Sequence, residues 1–469
     1  MTGLLSRVQL LLLVVGIASA LHAQGTADTA TYKRMKAYLD SVPAIDTHEH
    51  LMPFDHFKQS NTTAGGRGVN LRSLWAYSYF TWCNDLTPWP DSMTFDEWWK
   101  EAKDDFDNAR AMSFYRYQLP IFKDLYGVDF ETMTDDQARE LNARIEKNYA
   151  DQNWAYHVIT ERANIELIVN DPFWSRLGMS SHWKFEGHVL NVTSLVRGYH
   201  RDNFTSKPSD NPYMHAERYE IDIKSLDDYL NVLDKLFAEA KSLKLVCIKS
   251  TLAYERTLDF KNVPRERAER VFGKKKAALS PEEIKEFEDF IMWRLVELSA
   301  KYDLPFQIHT GQARVQGSNP ILLVDMIEAN PKTKFILFHG GYPWVGETGV
   351  IVQRHSSHVW IDSCWLPTLS FYTGKRAYHE WLDAAPSNRI LWGADCVHAE
   401  GIYGATEFTR RCLAEVLAEK VDRGELRDEY AKRIGRQILR DNALELFPSL
   451  KDKLWKHKGP MVAPETKGE

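Results

Sequence analysis

Several familiar signatures are missing from this 469-residue chain, and each absence excludes a class. Cysteine is scarce and odd in number: Cys83, Cys247, Cys364, Cys396 and Cys412. An odd count leaves at least one thiol unpaired, and with no Cys-x-x-Cys pair neither a zinc knuckle nor a disulfide scaffold is indicated. Cys247, Cys364 and Cys396 lie in or beside apolar runs and read as small buried hydrophobes. Positive charge is not in excess. Lys plus Arg number 59 and Asp plus Glu 65, a net −6, which gives no electrostatic case for nucleic acid or an anionic membrane. No apolar run after residue 23 is long enough to span a bilayer. No Gly-x-Gly-x-x-Gly turn follows the first expected strand, which argues against a dinucleotide-binding, doubly wound sheet. Internal repeats and low-complexity tracts are absent as well.

What is present begins with a leader pattern. Arg7 precedes an almost unbroken apolar run over residues 8–17, and small residues flank Ala20 and Ala23. Residues 1–23 therefore read as a secretory signal peptide cleaved near Ala20 or Ala23, and the mature chain is expected in the periplasm or outside the cell. Residues 456–469 form a polar tail. Between them, residues 24–455 are expected to form one domain.

Eight short runs, apolar throughout, recur at 44–45, 165–169, 189–196, 245–248, 305–308, 334–338, 359–361 and 389–392. Flat runs of this kind suit parallel strands buried on both faces. Helical patterns separate them. The clearest begins at Ser280, an N-cap followed by Pro281 and by Glu283 in capping-box position. Eight strands alternating with helices predict an α/β fold, a (β/α)8 TIM-type barrel. A helical insertion of about residues 71–160 follows strand one. Eight of the fifteen Trp precede residue 184, so this insertion carries much aromatic bulk. It is either hydrophobic cover or a lid in which Trp82, Trp89 or Trp98 shapes a pocket for a ring-bearing or sugar-like substrate.

The chemistry gathers at strand ends. Strand one ends in His48-Glu49-His50, and residues two apart on a strand point the same way. Strand five ends in His309, strand six in His339 and strand eight in Asp395. A barrel brings all these ends to one mouth. Four imidazoles and a carboxylate are costly to bury there unless they bind a metal or one another. Lys249 closes strand four. It could be carbamylated and bridge two metals, hold an anionic substrate as a cation, or reach solvent. Tyr254, Arg256, Arg314, Tyr342 and Trp344 follow strand ends and are candidates for substrate binding, an Arg suiting a carboxylate. His398, three residues after Asp395, is the one to watch among the other histidines, and Asp362, near the end of strand seven, reads as structural although it faces the same mouth.

The pattern His-x-His, Lys, His, His, Asp on strands one, four, five, six and eight resembles the amidohydrolase superfamily over residues 40–445. Lys249-Ser250 with Tyr254, His339-Gly340-Gly341-Tyr342-Pro343-Trp344 and the Asp395 segment resemble the amidohydrolase-2 group, including domains fused to glutamine-synthetase-like proteins. The resemblance implies a divalent metal, zinc for preference, as one or two ions. It implies His48, His50, Asp395 and His309 as ligands. His339 would ligate a second metal or contact substrate, and Lys249 would be the bridge between two metals. The large insertion and the loop after Lys249 depart from a minimal member.

On that reading Asp395 takes a proton from an activated water as general base and returns it to the leaving group, with His339 assisting. The expected activity is hydrolysis of a C–N, ester or lactone bond of a small molecule. A decarboxylase or uronate-type isomerase on the same scaffold is the alternative, and an inactive binding protein the third. The partner expected is a small-molecule substrate, with homo-oligomerisation left open.

Overall fold

A computed structural model describes residues 26–60, 62–63, 66–172, 182–204 and 211–454. The leader at 1–23 and the tail at 456–469 lie outside them. Among the described residues no helix is long and apolar enough to cross a membrane.

Eight parallel strands form the sheet: β1 (Ala44–Glu49), β2 (Ile165–Asn170), β3 (Glu186–Asn191), β4 (Cys247–Ser250), β5 (Phe306–Ile308), β6 (Phe335–Leu337), β7 (Val359–Asp362) and β8 (Ile390–Leu391). Each pairs with the next in chain order. The ring closes between its ends: the Thr47 N–H donates to the Trp392 carbonyl (3.2 Å) and the Asp395 N–H to the His48 carbonyl (3.0 Å). This is a TIM-type barrel, as the run pattern implied.

Parallel neighbours need crossover connections, and helices supply them. Pro281–Tyr302 starts with the expected capping box, Ser280 and Glu283 bonding reciprocally. Leu226–Ser242 and Asp135–Asn148 begin in the same way, from Ser225 and Thr134. Between β1 and β2 the described residues include the helices Leu71–Ala76, Phe95–Ala102 and Asp135–Asn148. Trp75 and Trp98 in this region are fully buried.

One strand boundary is corrected. The run at 189–196 suggested a strand to Val196, but β3 starts at Glu186 and stops at Asn191, and Thr193–Arg197 turns into 3-10 helix. Glu-Gly-His reads as a loop because a carboxylate is poorly suited to a buried strand. Here the Glu186 carboxylate accepts from the Asn170 side chain (2.9 Å) and the Trp183 N–H (2.9 Å). Those bonds offset its desolvation.

The barrel interior is polar toward the mouth. Asp46, Thr47, His48, Glu49, Lys249, Gln307 and Asp362 are all buried. Asp46 accepts the N–H groups of His48 (3.1 Å) and Ala394 (3.2 Å), tying β1 to the segment after β8. Burial pushes its carboxyl up to about 7. Glu49 is pushed up as well, by burial first and then by the charge of Asp46. Both shifts favour a protonated carboxyl, which relieves buried negative charge.

Candidate metal centre and mouth

His48 and His50 leave the end of β1 with their rings 4.9 Å apart and edge to face. Asp395 faces them from beyond β8: its Oδ1 is 3.8 Å from His48 Nε2 and 3.5 Å from His50 Nε2. Its Oδ2 is 3.9 Å from His339 Nδ1. His339 Nε2 in turn lies 3.0 Å from His309 Nδ1. The strand-end His and Asp residues thus meet at one mouth, and donor atoms of His48, His50 and Asp395 fall within 4.8 Å of one another.

Backbone carbonyls fix which nitrogen of each ring carries the proton. His50 Nδ1 is 3.0 Å from the Asp171 carbonyl, His309 Nε2 2.9 Å from that of Gln312, and His339 Nδ1 3.0 Å from that of Cys364. A carbonyl only accepts, so in each neutral ring that nitrogen is the donor and the other is bare. The bare nitrogens of His309 and His339 then face each other, and the bare nitrogen of His50 faces a carboxylate oxygen. Asp395 Oδ1 has no hydrogen-bond partner although it is buried. Acceptors converging on acceptors call for a cation, and anchoring the second nitrogen is how ligating histidines are held. The donor set therefore fits a divalent metal.

The electrostatics agree. Burial holds the imidazolium form of His309 down to about 3, helped by the charge of Lys249. Burial also lowers His48 and His339 well below the ordinary range. Neutral imidazole is the form that binds metal. Burial raises the Asp395 carboxyl, while His50, Lys249 and a hydrogen bond from Tyr79 pull it back.

Lys249 is 1% exposed, so reaching solvent is ruled out. Its Nζ lies 3.3 Å from His48 Nε2 and 3.7 Å from the centre of the Phe338 ring. Burial lowers its pKa, which raises the share of neutral amine.

Of the candidate substrate residues, only Tyr254 is brought to the cluster, its ring 4.4 Å from that of His309. Arg256 is corrected. Its guanidinium bonds Glu288 (2.8 Å) and Asp289, with 11% of the side chain exposed, and it stacks on Phe260. Two carboxylates and an aromatic face saturate it, so it is a structural ion pair and not a carboxylate clamp. Arg314 is exposed and donates to the Glu255 carbonyl (2.8 Å). Tyr342 packs partly on the core, and Trp344 precedes the helix Val345–Arg354. The Tyr342 N–H donates to the His339 carbonyl (3.1 Å). Asp362 accepts from the Thr47 hydroxyl (2.5 Å) and the Cys364 N–H (2.9 Å), a structural role.

Sequence reading missed four neighbours. Asp171, directly after β2, and Cys364, two residues after β7 ends, obey the same strand-end rule and could have been found by it. Trp365, 5.3 Å from the His339 ring, and Tyr79, from the insertion, carry no such signal. Backbone geometry marks the region too: His339, Trp365 and Asp395 have φ of 58°, 66° and 61°. A side chain in this left-handed region costs about 1–3 kcal/mol, and such residues cluster at functional sites.

A barrel with His and Asp side chains gathered at its strand ends presents a candidate metal centre. The amidohydrolase family model matches residues 260–449, the stretch that holds His309, His339 and Asp395, in line with the resemblance seen in the motifs. Protein fluG of Emericella nidulans is 29% identical over 149 residues, covering 30% of this chain and 17% of that protein's length. Among solved structures, a uronate isomerase from Thermotoga maritima superposes with a TM-score of 0.68 at 16% identity, over 89% of this chain and 97% of that one. A glucuronate isomerase from Caulobacter crescentus gives 0.68 at 14%, over 95% and 98%. A Lactobacillus casei protein provisionally described as a metal-dependent hydrolase gives 0.61 at 16%, over 90% and 99%. At these identities the likeness is one of fold.

Proposed function

We propose that the protein is a metal-dependent hydrolase that cleaves a C–N, ester or lactone bond of a small molecule. The observation that carries this is the position of Asp395, with one oxygen toward His48 and His50 and the other toward His339. His48, His50 and Asp395 would hold the ion, with His309 and His339 adjoining. When bound, such an ion polarises a carbonyl and makes water nucleophilic near neutral pH.

The chain's own groups do the rest. Asp395 accepts the proton of the attacking water at the oxygen left free and passes it to the leaving group. Its raised pKa makes it a stronger base than a surface carboxylate. The Tyr79 hydroxyl orients it. His339 is held by the Cys364 carbonyl with its other nitrogen toward His309 Nδ1 (3.0 Å), so it adjoins the reacting centre as an oriented neutral imidazole.

The test is turnover of amide, ester and lactone panels in 18O-water by enzyme purified without chelator. Label in the product supports hydrolysis. Asp395→Asn should keep the fold and lose turnover by about 10²–10⁴, the usual worth of a general base; undiminished turnover with metal retained would overturn the role.

A second reading, a uronate-type isomerase, is favoured by the uronate isomerase neighbours, which match nearly the whole length of the chain. An isomeric sugar formed without label from water would select it. For location, the residue 1–23 pattern supports export, and N-terminal sequencing of protein recovered outside the cytoplasm would test it.

A further inference from the structure

The insertion offered three tryptophans as walls of a pocket, and the structure separates them. Trp89 and Trp98 stack on each other with centroids 4.8 Å apart, and both are buried. Their indole N–H groups are bonded within the insertion, to the Met93 and Thr87 carbonyls. Trp82 behaves differently. It is 54% exposed, and Tyr254, on the loop after β4, is 41% exposed. Their rings stand 6.5 Å apart at 75° to each other. From this pair, two lines of rings descend to the metal-ligand cluster. One runs from Trp82 to Trp365 (5.3 Å) and on to His339 (5.3 Å). The other is Tyr254 against His309 (4.4 Å). A cavity of about 240 Å³ adjoins them, with Tyr79, Trp82, Tyr117 and His398 in its wall.

Two large aromatic side chains left in water, set at an angle and continuous with a polar centre, suit a ligand that covers them. Aromatic faces favour rings offset-stacked or edge-on over apolar chains, and such contacts gain beyond the area they bury. We infer that Trp82 and Tyr254 form an aromatic corner that binds a ring with an apolar face, and that the substrate is a ring-bearing small molecule. This inference rests on the active site proposed above. The same surface would accept an aryl ring or the C–H face of a sugar ring.

The test uses three carboxylates with one headgroup, benzoate, D-glucuronate and acetate, titrated calorimetrically into the full, metal-containing protein. A ring-bearing probe should bind about tenfold more tightly than acetate, the scale of one stacking contact. Preference for benzoate assigns an aryl substrate, and preference for glucuronate a sugar. Trp82→Ala should abolish that preference while acetate binding stays unchanged, and Trp82→Phe should restore most of it. Equal binding of all three, failure of both ring probes to bind, or an unaltered preference in Trp82→Ala would each overturn the inference. A ring preference that persists while no label enters the product would instead overturn hydrolysis alone.

Discussion

Glu400 offers a sharp test of how the insertion is fastened to the barrel. It lies in the first turn of the helix Ala399–Asp422 and is fully buried. Three donors from the far side of the insertion converge on its carboxylate: the Tyr126 hydroxyl (2.9 Å), the Trp154 indole N–H (2.7 Å) and the Tyr149 hydroxyl. His398 Nδ1 is 3.4 Å away. Hydrogen bonds to a charged group contribute about 1.5–3 kcal/mol each and neutral ones about 0.5–1.5. Glu400→Gln keeps the shape and removes the charge, so three bonds weaken by about 1–1.5 kcal/mol each, a loss of ~3–4.5 kcal/mol. Glu400→Ala orphans two buried tyrosine hydroxyls at ~1–3 kcal/mol each and the partly buried Trp154 N–H, and leaves a cavity besides, so it should cost more. The pH dependence has a definite sign. Burial alone would raise the Glu400 carboxyl, but His398, Trp154 and Tyr149 together bring it below its ordinary value. Its contribution is therefore present above the unfolded carboxylate range and lost as pH falls through the lower folded value. Urea unfolding from pH 7 down to 3 should show wild type and Glu400→Gln converging at the acid end. Hydrogen exchange should show residues 126–157 opening first in the variant. Equal midpoints at pH 7, with exchange undisturbed, would refute the fastening.

Replacing His48 and His50 together should empty the metal centre, read as metal per chain by elemental analysis; a wild-type metal content would remove them from the ligand set. Arg256→Ala should lower stability by less than the ~3–5 kcal/mol of a fully uncompensated buried charge, because Asp289, 1% exposed, loses one partner but keeps Lys285 at 2.6 Å. It should leave KM unchanged, and a large rise in KM with normal stability would return Arg256 to the substrate. His309 has a folded pKa lowered to about 3, so between that value and about 6.5 the unfolded chain binds the extra proton. Stability of the metal-free protein should therefore fall as pH drops through this window. His309→Gln should flatten that slope in thermal unfolding, and an unchanged slope would show that other groups set it.

The barrel was legible because its strands are plain. Runs such as Phe335–Leu337 are apolar on both faces, and only a buried parallel strand suits them. The strand-end cluster was legible for the opposite reason: His309, His339 and Asp395 each break an apolar run where a turn alone would do. The start of β3 was hidden because Glu186 has partners distant in sequence or in a neighbouring loop. Arg256 misled for the same reason. Position after a strand end marks a loop near the mouth, but Glu288 and Asp289, which claim the guanidinium, stand on a helix more than thirty residues later. Tyr79 was invisible because its relation to Asp395 exists only once the insertion has folded over the mouth.

The places where local rules fail coincide with the places where the site is built. His339, Trp365 and Asp395 adopt a backbone conformation that costs each of them energy, and none is glycine. Gly340, beside His339, has φ of 56°, and a side chain there would strike Trp381 at 2.5 Å. A chain selected only for stability would place Gly or Asn at such turns. What the three side chains gain is direction: His339 turns to the Cys364 carbonyl and to His309, Asp395 to His48 and His50, and Trp365 to His339 and Trp82. The same three residues link the candidate ligand set to the exposed aromatic corner, so local strain and the geometry of the candidate site meet in one layer at the barrel mouth. Replacing Trp365 by Gly would relax the backbone and break that link, so it should cost the centre its ring preference while the metal content stays unchanged.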